Sequence, residues 1–404
     1  MNIISGGVCA AQGFQAAGIH SGIRKNPGRK DLALIRSAVP AAAAAVYTAN
    51  AVKGAPLTVT KRHLENGTAQ AVICNSGNAN TCNADGIEIA ERMCALAAGA
   101  LGIRPEDVVV ASTGVIGQKL PIEPVERSIG RLADLLSEDG SADACAAIMT
   151  TDTQPKEIAV EFTLGGKVCR LGGIAKGSGM IHPNMATMLV FLTTDAAISA
   201  HMLSAALKGD VQNTFNMTSV DGDTSTNDMV TILANGLAGN APVTAPGEDF
   251  DAFMKALNTV NVYLCRAIAA DGEGATKLLE CTVTGARDET AARIAAKSVI
   301  CSSLVKAAMF GADANWGRVL CAVGYSGAEV DVTTAGLTFR SKGGSVEVCR
   351  GGAGIDFDEA QALKVLEEKE IDILLSFADG DAAATAWGCD LTYEYVKING
   401  EYRT

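Results

Sequence analysis

Residues 173–190 have the sequence GIAKGSGMIHPNMATMLV, in which a polar, glycine-rich loop leads directly into an apolar run starting at Met188. Glycine permits backbone angles that other residues avoid, and Pro183 biases His182 away from helical geometry. The apolar run after the loop predicts a buried strand. The loop Gly172–Ala186 is also the only stretch dense enough in Gly, Pro, Asn and Ser to suggest an internal boundary.

On either side of this segment, short apolar runs alternate with longer stretches of helical periodicity. The predicted strands include Ala71–Cys74, Asp107–Val110, Ile158–Phe162, Met188–Leu192 and Met229–Leu233. The predicted helices are Ile87–Ala100, Val125–Leu136, Met202–Phe215, Phe250–Ala269 and Ala291–Phe310. Because Ile158–Phe162 and Lys167–Leu171 flank Gly165-Gly166 as a β-hairpin would, we expect an α/β (mixed α+β) fold with mixed sheets.

The end of the chain carries a different pattern. Leu391, Tyr393 and Tyr395 alternate with polar residues, which predicts a strand over Leu391–Lys397. Asn399-Gly400 then predicts a turn. No short repeat and no low-complexity linker separates domains.

Composition excludes several classes of protein. A net charge of -12 over 404 residues argues against nucleic acid or anionic lipid as a partner, because either needs a positive surface. The start of the chain lacks a signal peptide's basic and apolar regions, and Val39–Tyr47 is too short to span a bilayer. The twelve cysteines show no metal-binding spacing. We therefore expect a cytoplasmic protein with no metal site, no membrane role and no nucleic-acid partner.

Familiar catalytic motifs are absent from the sequence. There is no GxSxG nucleophile elbow and no GxxxxGK[ST] phosphate loop, which argues against serine hydrolases and P-loop proteins. Asp221–Asp228 begins like a calcium loop, but Thr226 stands where the sharp turn needs glycine, so a polar turn is the better interpretation. Taken alone, Thr187 is simply a β-branched residue that opens a strand.

The run KGSGMIHPNMATML at 176–189 resembles the cleavage-site signature of the ornithine acetyltransferase (glutamate N-acetyltransferase) family, cut between Ala186 and Thr187. Further segments match in family order across essentially the whole chain. They are DLALI at 31–35, NSGNAN at 75–80, STGVIG at 112–117, MTTDT at 149–153, VDGDTSTND at 220–228, FGADANWGR at 310–318 and INGEYRT at 398–404. One departure is Ala314, where the family commonly has proline.

This resemblance implies a fold like that of DmpA and the ornithine acetyltransferases, with helices layered around mixed sheets and a smaller C-terminal lobe. It also implies two mature chains, residues 1–186 and 187–404, assembled as a heterotetramer or a larger complex. The implied reaction moves acetyl from N2-acetyl-L-ornithine to L-glutamate through an acetyl-Thr intermediate in arginine biosynthesis. No cofactor is expected, although acetyl-coenzyme A is a possible second acetyl donor.

The resemblance assigns the catalytic roles to three residues. Thr187 is the nucleophile, and its own α-amine, with a reference pKa of about 7.7–8.0, can serve as its base once the chain is cut. The Thr113 hydroxyl and the Gly114 N–H would stabilise the oxyanion. Without the resemblance, Ser112–Gly114 would be an ordinary strand-end turn.

The resemblance also assigns substrate contacts. These fall on Thr150, Lys176, Glu273, Asn399 and Thr404, together with Thr187 itself. By charge, the lysine suits a carboxylate and the glutamate suits an ammonium group. Without the resemblance, Lys176 and Glu273 would be solvated loop charges and Thr150 a helix cap. Asn399 would be a turn residue, and Thr404 would belong to a frayed chain end.

Three other functions compete with this one. An N-terminal-nucleophile aminopeptidase or amidase would use the same threonine with water as acceptor. A coenzyme A acetyltransferase of the GNAT kind would use Arg170–Ala175, which fits its loose R/QxxGxG/A pattern, but that pattern needs a following helix that Gly177–Pro183 cannot form. An uncut binding protein would keep the loop without the chemistry.

Overall fold

The computed structural model describes residues 1–182 and 188–401. The predictions for Ala186, Thr187 and Thr404 therefore lie outside the described residues. Within those ranges the chain divides into two units. The first comprises residues 1–177, 188–212 and 224–264, and the second comprises residues 178–182, 213–223 and 265–401. This division is separate from the expected fragments 1–186 and 187–404, because a peptide bond can be cut without the packing units changing.

Nine strands among the described residues form the sheet of the first unit. They are β1 (Asn2–Ile4), β2 (Phe14–Ile19), β3 (Leu32–Tyr47), β4 (Thr68–Asn75), β5 (Val108–Ser112), β6 (Lys156–Leu164), β7 (Lys167–Lys176), β8 (Leu189–Thr194) and β9 (Met229–Ala234). Their order is β1-β6-β7-β8-β9-β3-β4-β5, and β2 pairs with β3. The β8–β9 and β4–β5 pairs are parallel, while the other pairs are antiparallel. The predicted mixed sheet is thereby confirmed.

Helices cover the first unit's sheet. They are α1 (Ala55–His63), α2 (Gly86–Leu101), α3 (Glu123–Asp134), α4 (Ser141–Ile148), α5 (Ala200–Val211) and α6 (Glu248–Ala270), the last of which contributes residues to both units. Val108 and Val110 of β5 pack in an apolar cluster with residues of α2 and α3, whereas Val109 and Ala111 pack in a cluster with residues of α4. Successive strand residues face opposite sides, so strands buried on both faces have continuous apolar sequences.

The second unit has its own mixed sheet. Its strands are β10 (Leu278–Ala286), β11 (Gly336–Ser341), β12 (Gly344–Arg350), β13 (Ala353–Gly354), β14 (Glu370–Ser376) and β15 (Ala382–Cys389), in the order β13-β12-β11-β14-β10-β15. Only β10–β14 is a parallel pair within this part of the described chain. The helices are α7 (Glu289–Cys301), α8 (Ser303–Phe310), α9 (Trp316–Gly324), α10 (Glu359–Leu366) and α11 (Tyr393–Glu401). Helix α7 packs on β10 and β15.

Most predicted elements are confirmed, including the hairpin of β6 and β7, whose turn residues Gly165 and Gly166 have φ angles of 54° and 78°. The predicted helix Ala291–Phe310 is instead two helices. Ser302 interrupts it, because its hydroxyl accepts the N–H of Val305 and so caps the start of α8. The predicted helix Met202–Phe215 is confirmed only as far as Val211.

The predicted strand Leu391–Lys397 and turn Asn399-Gly400 are wrong, because this segment forms helix α11. The side-chain amide of Asn399 also donates to the carbonyl oxygen of Tyr395, about one helical turn earlier. Tyr393 is 83% exposed, and its ring meets Phe310 edge-on rather than a neighbouring strand. Alternating apolar residues predict a strand only where a sheet edge and a core receive them.

None of the helices found in residues 1–182 and 188–401 has the length and apolar character needed to cross a membrane.

The packing of α4 on β2 generates a matched pair of predictions. A Cβ at Gly18 of β2 would overlap the backbone carbonyl oxygen of Asp143, whereas a Cβ at Gly99 of α2 would meet open space. We expect Gly18→Ala to lower the free energy of unfolding by about 3 kcal/mol. We expect Gly99→Ala to raise it by about 0.5–1 kcal/mol, because alanine favours helix. Urea denaturation measures both changes; equal effects of the two substitutions would contradict the described packing.

Candidate active site

Thr113 and Gly114, the predicted oxyanion residues, follow β5 directly. The N–H of Thr113 donates to the carbonyl oxygen of Asn75 at 3.0 Å. Gly114 has a φ of 127°, and a Cβ there would lie 2.8 Å from the backbone nitrogen of Asn78, so the position requires glycine. Neither the Thr113 hydroxyl nor the Gly114 N–H donates to any residue within the described ranges. Both donors therefore remain available to a ligand.

A side-chain amide network holds this turn in place. The Asn75 amide donates to the Ser112 hydroxyl at 2.7 Å. The Asn227 amide donates to the carbonyl oxygens of Ser112 at 2.9 Å and Ala79 at 2.5 Å, and its oxygen accepts the Thr81 hydroxyl at 2.5 Å. Three segments that are distant in sequence thus meet at the end of β5. All these amides are buried, so the geometry of the turn is strongly determined.

Asp152 brings Thr150 and the end of β7 together. Its carboxylate accepts the N–H of Thr150 at 2.9 Å, the ammonium of Lys156 at 2.7 Å and the N–H of Gly177 at 2.7 Å. Burial by itself would raise the pKa of Asp152. The positive charges of Lys156 and Lys176, together with these hydrogen bonds, outweigh burial and hold the pKa well below its usual range. Asp152 is therefore ionised and anchors the residues around Lys176.

Lys176 is the last residue of β7 and is only 8% exposed. Its charge acts on a second buried acid, Asp228, which immediately precedes β9. Burial raises the pKa of Asp228 well above its usual range, against the opposing effects of hydrogen bonds from Ser225 and Thr48 and of the Lys176 charge. Oδ2 of Asp228 has no hydrogen-bond partner among the described residues. Burial without a hydrogen bond to this oxygen therefore disfavours the charged form of Asp228.

The described chain resumes beside these groups, one residue after Thr187. The carbonyl oxygen of Met188 accepts the N–H of Met229 at 2.8 Å. From there Leu189 pairs with Met229 on one side and with Lys176 on the other. The predicted strand after the loop is confirmed, and its first residue neighbours the lysine along the sheet.

Glu273 and Asn399 meet in the second unit. The Asn399 amide donates to Oε2 of Glu273 at 2.9 Å, and the Glu273 N–H donates to the carbonyl oxygen of Ser178 at 2.9 Å. A Cβ at Gly179 would overlap the Glu273 carboxylate, so glycine there lets the carboxylate lie against the backbone. The hydroxyl of Thr392 donates to the carbonyl oxygen of Gly274 at 2.6 Å and ties the start of α11 to the same turn.

Six of the predicted site residues lie within the described ranges, and they form groups within each unit. Thr113 and Gly114 share the turn after β5, and Thr150 and Lys176 share the environment of Asp152. These four belong to the first unit, whereas Glu273 and Asn399 belong to the second. Ala186, Thr187 and Thr404 remain outside the described residues.

Sequence reasoning missed four polar residues, of which three belong to these groups and Asp221 accepts the backbone N–H groups of Met180 and Ile181. They are Asp152, Asp221, Asn227 and Asp228. The signal was present, since each lies in the quoted runs at 149–153 and 220–228. Sequence alone does not say which backbone groups such side chains will meet.

Buried carboxyl groups around a lysine, together with unused hydrogen-bond donors at a strand end, define an α/β enzyme whose polar site suits a small charged substrate. The family model for the ArgJ family matches residues 15–404. The arginine biosynthesis bifunctional protein ArgJ of Symbiobacterium thermophilum is 54% identical over 406 residues, covering 100% of both chains. The chain belongs to the ArgJ family and is an acetyltransferase of arginine biosynthesis, which confirms the resemblance.

Solved structures also match the chain. Arginine biosynthesis bifunctional protein ArgJ from Bacillus halodurans is 43% identical, covering 53% of this chain and 98% of that chain, with a TM-score of 0.49. Ornithine acetyltransferase from Mycobacterium tuberculosis, solved with ornithine, is 36% identical, covering 46% of this chain and 99% of that chain, with a TM-score of 0.42.

The Asp152 anchor generates a stability prediction. We expect Asp152→Asn to lower the free energy of unfolding by about 3 kcal/mol at pH 7, because the buried Lys156 ammonium would lose its 2.7 Å ion pair with Asp152. A carboxyl pKa lowered by folding stabilises the protein above its unfolded pKa of about 3.9, and this stabilisation is lost as the pH falls through the folded value. The difference from wild type should therefore shrink below about pH 4.

Urea denaturation at several pH values measures this difference. Asp134→Asn is the matched control, because Asp134 is exposed at the end of α3 and should change stability by less than about 0.5 kcal/mol. A loss for Asp152→Asn no larger than that of the control would show that Asp152 is not an anchor.

Proposed function

We propose that this enzyme transfers the acetyl group of N2-acetyl-L-ornithine to L-glutamate through an acetyl ester on Thr187. We further propose that Thr187 becomes an N-terminal residue when the chain cleaves itself after Ala186. The observation that carries the proposal is the rigid turn after β5, whose Thr113 hydroxyl and Gly114 N–H have no acceptor among the described residues. Such donors suit the oxyanion of acyl transfer. Membership of an arginine-biosynthesis family supports the choice of substrates.

Self-cleavage comes first in this mechanism. The Thr187 hydroxyl attacks the carbonyl carbon of Ala186, the C–N bond breaks, and the Thr187 nitrogen takes up the hydroxyl proton to become an amine. Water then hydrolyses the resulting ester and frees the hydroxyl. Before cleavage the Thr187 nitrogen is an amide and cannot act as a base, so acetyl transfer requires the cut.

Acetyl transfer then follows in two half-reactions. The Thr187 hydroxyl attacks the acetyl carbonyl while its α-amine accepts the proton, and the oxyanion binds the donors on Thr113 and Gly114. The acetyl C–N bond breaks, and ornithine leaves with the proton returned by that amine. In the second half-reaction the amine of glutamate attacks the acetyl ester, releasing N-acetylglutamate and the free threonine hydroxyl.

The charge around Lys176 supports binding of a substrate carboxylate. Lys176 is only 8% exposed, and its charge acts on both Asp152 and Asp228. The Asp152 carboxylate already pairs with Lys156 at 2.7 Å, and burial raises the pKa of Asp228. A substrate carboxylate is a suitable partner for this buried lysine. We assign it to the α-carboxylate of ornithine or glutamate.

The remaining contacts complete the proposed substrate site. Glu273 is oriented by its hydrogen bond from Asn399 and offers its carboxylate to the substrate ammonium group. Thr150 and Thr404 are assigned to the same site by resemblance to the family. We propose that the reaction uses no cofactor and no metal ion.

We also propose a second acetyl donor and a two-chain assembly. The Symbiobacterium relative is named a bifunctional protein, which supports a second activity, and we assign this activity to acetyl-coenzyme A as donor. After the cut, residues 1–186 and 187–404 would stay associated, as a heterotetramer or a larger assembly.

The nucleophile generates a prediction for maturation. Wild-type protein should separate into two chains on a denaturing gel, and the mass of the second should begin at Thr187. Thr187→Ala should stay full length and lose acetyl transfer by more than about a thousandfold, because both steps need the hydroxyl. Thr187→Ser is the control and should still be cut, because it keeps the hydroxyl. A continuous wild-type chain that transfers acetyl would refute the mechanism.

The substrate site generates a kinetic prediction. Initial rates with N-acetylornithine and glutamate should give the parallel lines of a ping-pong reaction, and mass spectrometry should find an acetyl group on Thr187. Lys176→Met should raise KM for glutamate about tenfold to a hundredfold, the equivalent of one charge-assisted hydrogen bond.

Lys208→Met is the control for that change, since Lys208 is exposed on α5. Acetyl-coenzyme A replaces N-acetylornithine in a parallel assay to test the second donor. Release of free acetate without N-acetylglutamate would instead identify a hydrolase that uses water as acceptor.

A further inference from the structure

Ser178–His182 is the described stretch that leads into the proposed cleavage site, and Asp221 binds the middle of it. The N–H of Met180 donates to Oδ2 of Asp221 at 2.6 Å, and the N–H of Ile181 donates to Oδ1 at 2.9 Å. One carboxylate can accept two consecutive N–H groups only if the backbone turns so that both point the same way. Asp221 therefore determines the local path of the chain.

The backbone at this turn is strained. Met180 has a φ of 56°, in the left-handed region that residues other than Gly, Asn and Asp rarely adopt. The Met180 side chain is 42% exposed, so apolar packing contributes little to holding the residue there. The two hydrogen bonds from Met180 and Ile181 to Asp221 help to offset the strain.

The neighbours of Asp221 hold the next residues of the same stretch. The N–H of Val220 donates to the carbonyl oxygen of Ile181 at 2.7 Å, and the hydroxyl of Ser219 donates to the same oxygen at 3.2 Å. The imidazole Nδ1 of His182 lies 3.1 Å from the Ser219 hydroxyl oxygen. Residues 219–221 thus hold Met180, Ile181 and His182 in succession.

The beginning of the stretch is held separately. The hydroxyl of Ser178 donates to the carbonyl oxygen of Asp271 at 2.7 Å, and the carbonyl oxygen of Ser178 accepts the N–H of Glu273 at 2.9 Å. All these contacts lie within the second unit. Asp221 is the only carboxylate in the described ranges that accepts N–H groups from residues 178–182.

Nothing in the proposed transfer reaction uses Asp221. Its sequence context suggested the first ligand of a calcium loop, but among the described residues no cluster of three or more His, Cys, Asp or Glu side chains could hold a metal ion. Its carboxylate instead faces backbone N–H groups, including that of Asp223 at 3.3 Å, and the hydroxyl of Tyr395. These contacts indicate that Asp221 shapes the backbone at residues 180 and 181.

We propose that Asp221 is a positioning residue for self-cleavage, which holds the Met180-Ile181 turn and thereby directs the chain from His182 into the scissile peptide. This inference rests on the self-cleavage proposed above. A tertiary contact that fixes the chain on one side of a peptide bond can favour the geometry in which a hydroxyl attacks that bond. Asp221 touches neither the substrates nor the reacting atoms in this role.

Asp221→Asn tests the proposal with almost no change in size. The amide keeps one acceptor oxygen but places an NH2 group against a backbone N–H, so the turn loses one of its two hydrogen bonds. Full-length precursor is produced by cell-free translation, and the fraction cut is followed over time on denaturing gels. We expect Asp221→Asn to cleave about tenfold to a hundredfold more slowly than wild type. Asp223→Asn is the matched control and should cleave at the wild-type rate.

A second variant separates positioning from general damage to the fold. Glycine adopts a positive φ without strain, so Met180→Gly should restore much of the cleavage rate when combined with Asp221→Asn. Acetyl transfer per cleaved molecule should equal that of wild type in both variants, because the mature site does not need the turn.

The outcomes are distinct. If Asp221→Asn matures at the wild-type rate, or if its cleaved molecules transfer acetyl more slowly, the positioning role is wrong while the proposed function stands. If Met180→Gly gives no recovery, the turn is not what Asp221 controls, and the inference is overturned. If wild-type precursor never cleaves, the proposed function fails and this inference fails with it.

Discussion

The hydrogen bonds and the ion pair of the buried Asp152 carboxylate are the interactions on which the proposed site depends most. This carboxylate accepts hydrogen bonds from the N–H of Thr150, the ammonium of Lys156 and the N–H of Gly177. It thereby connects the loop after α4, the start of β6 and the residue after β7. Burying an ion pair costs desolvation energy that only good hydrogen bonding offsets. Asp152 meets that condition, and Lys176 is positioned next to it as a result.

A similar logic governs the turn after β5. Its conformation needs a glycine at 114 because the backbone of residues 77 and 78 lies against it. The side-chain amides of Asn75 and Asn227 donate hydrogen bonds to oxygen atoms of Ser112, directly before this turn. The Thr113 hydroxyl and the Gly114 N–H, in contrast, have no acceptor among the described residues. The proposed oxyanion site would need no reorganisation when charge develops.

The proposed self-cleavage and the proposed acetyl transfer would place different demands on Thr187. Self-cleavage would need its hydroxyl next to the Ala186 carbonyl, whereas acetyl transfer would need a free amine and access to substrate. The described flanks are well suited to both demands. Ser178–His182 is held by residues 219–221, and the chain from Met188 onward enters the buried parallel pair of β8 and β9. Such anchors can survive the loss of one peptide bond between them.

The sequence by itself determined the positions of most strands and helices, because periodicity is a local property. It also carried the family motifs and hence the nucleophile, the oxyanion donors and the substrate contacts as hypotheses. It failed at Leu391–Lys397, where alternating apolar residues had no sheet to join, and at Ser302, where a cap divided a periodic stretch.

Only the tertiary structure decided which polar side chain meets which backbone group. Asp221 binds the N–H groups of Met180 and Ile181, about forty residues earlier, and Asn227 binds the carbonyl oxygen of Ser112. The physical reason is that these contacts follow from which strands become neighbours, and strand pairing is set by burial of the whole sheet rather than by local sequence.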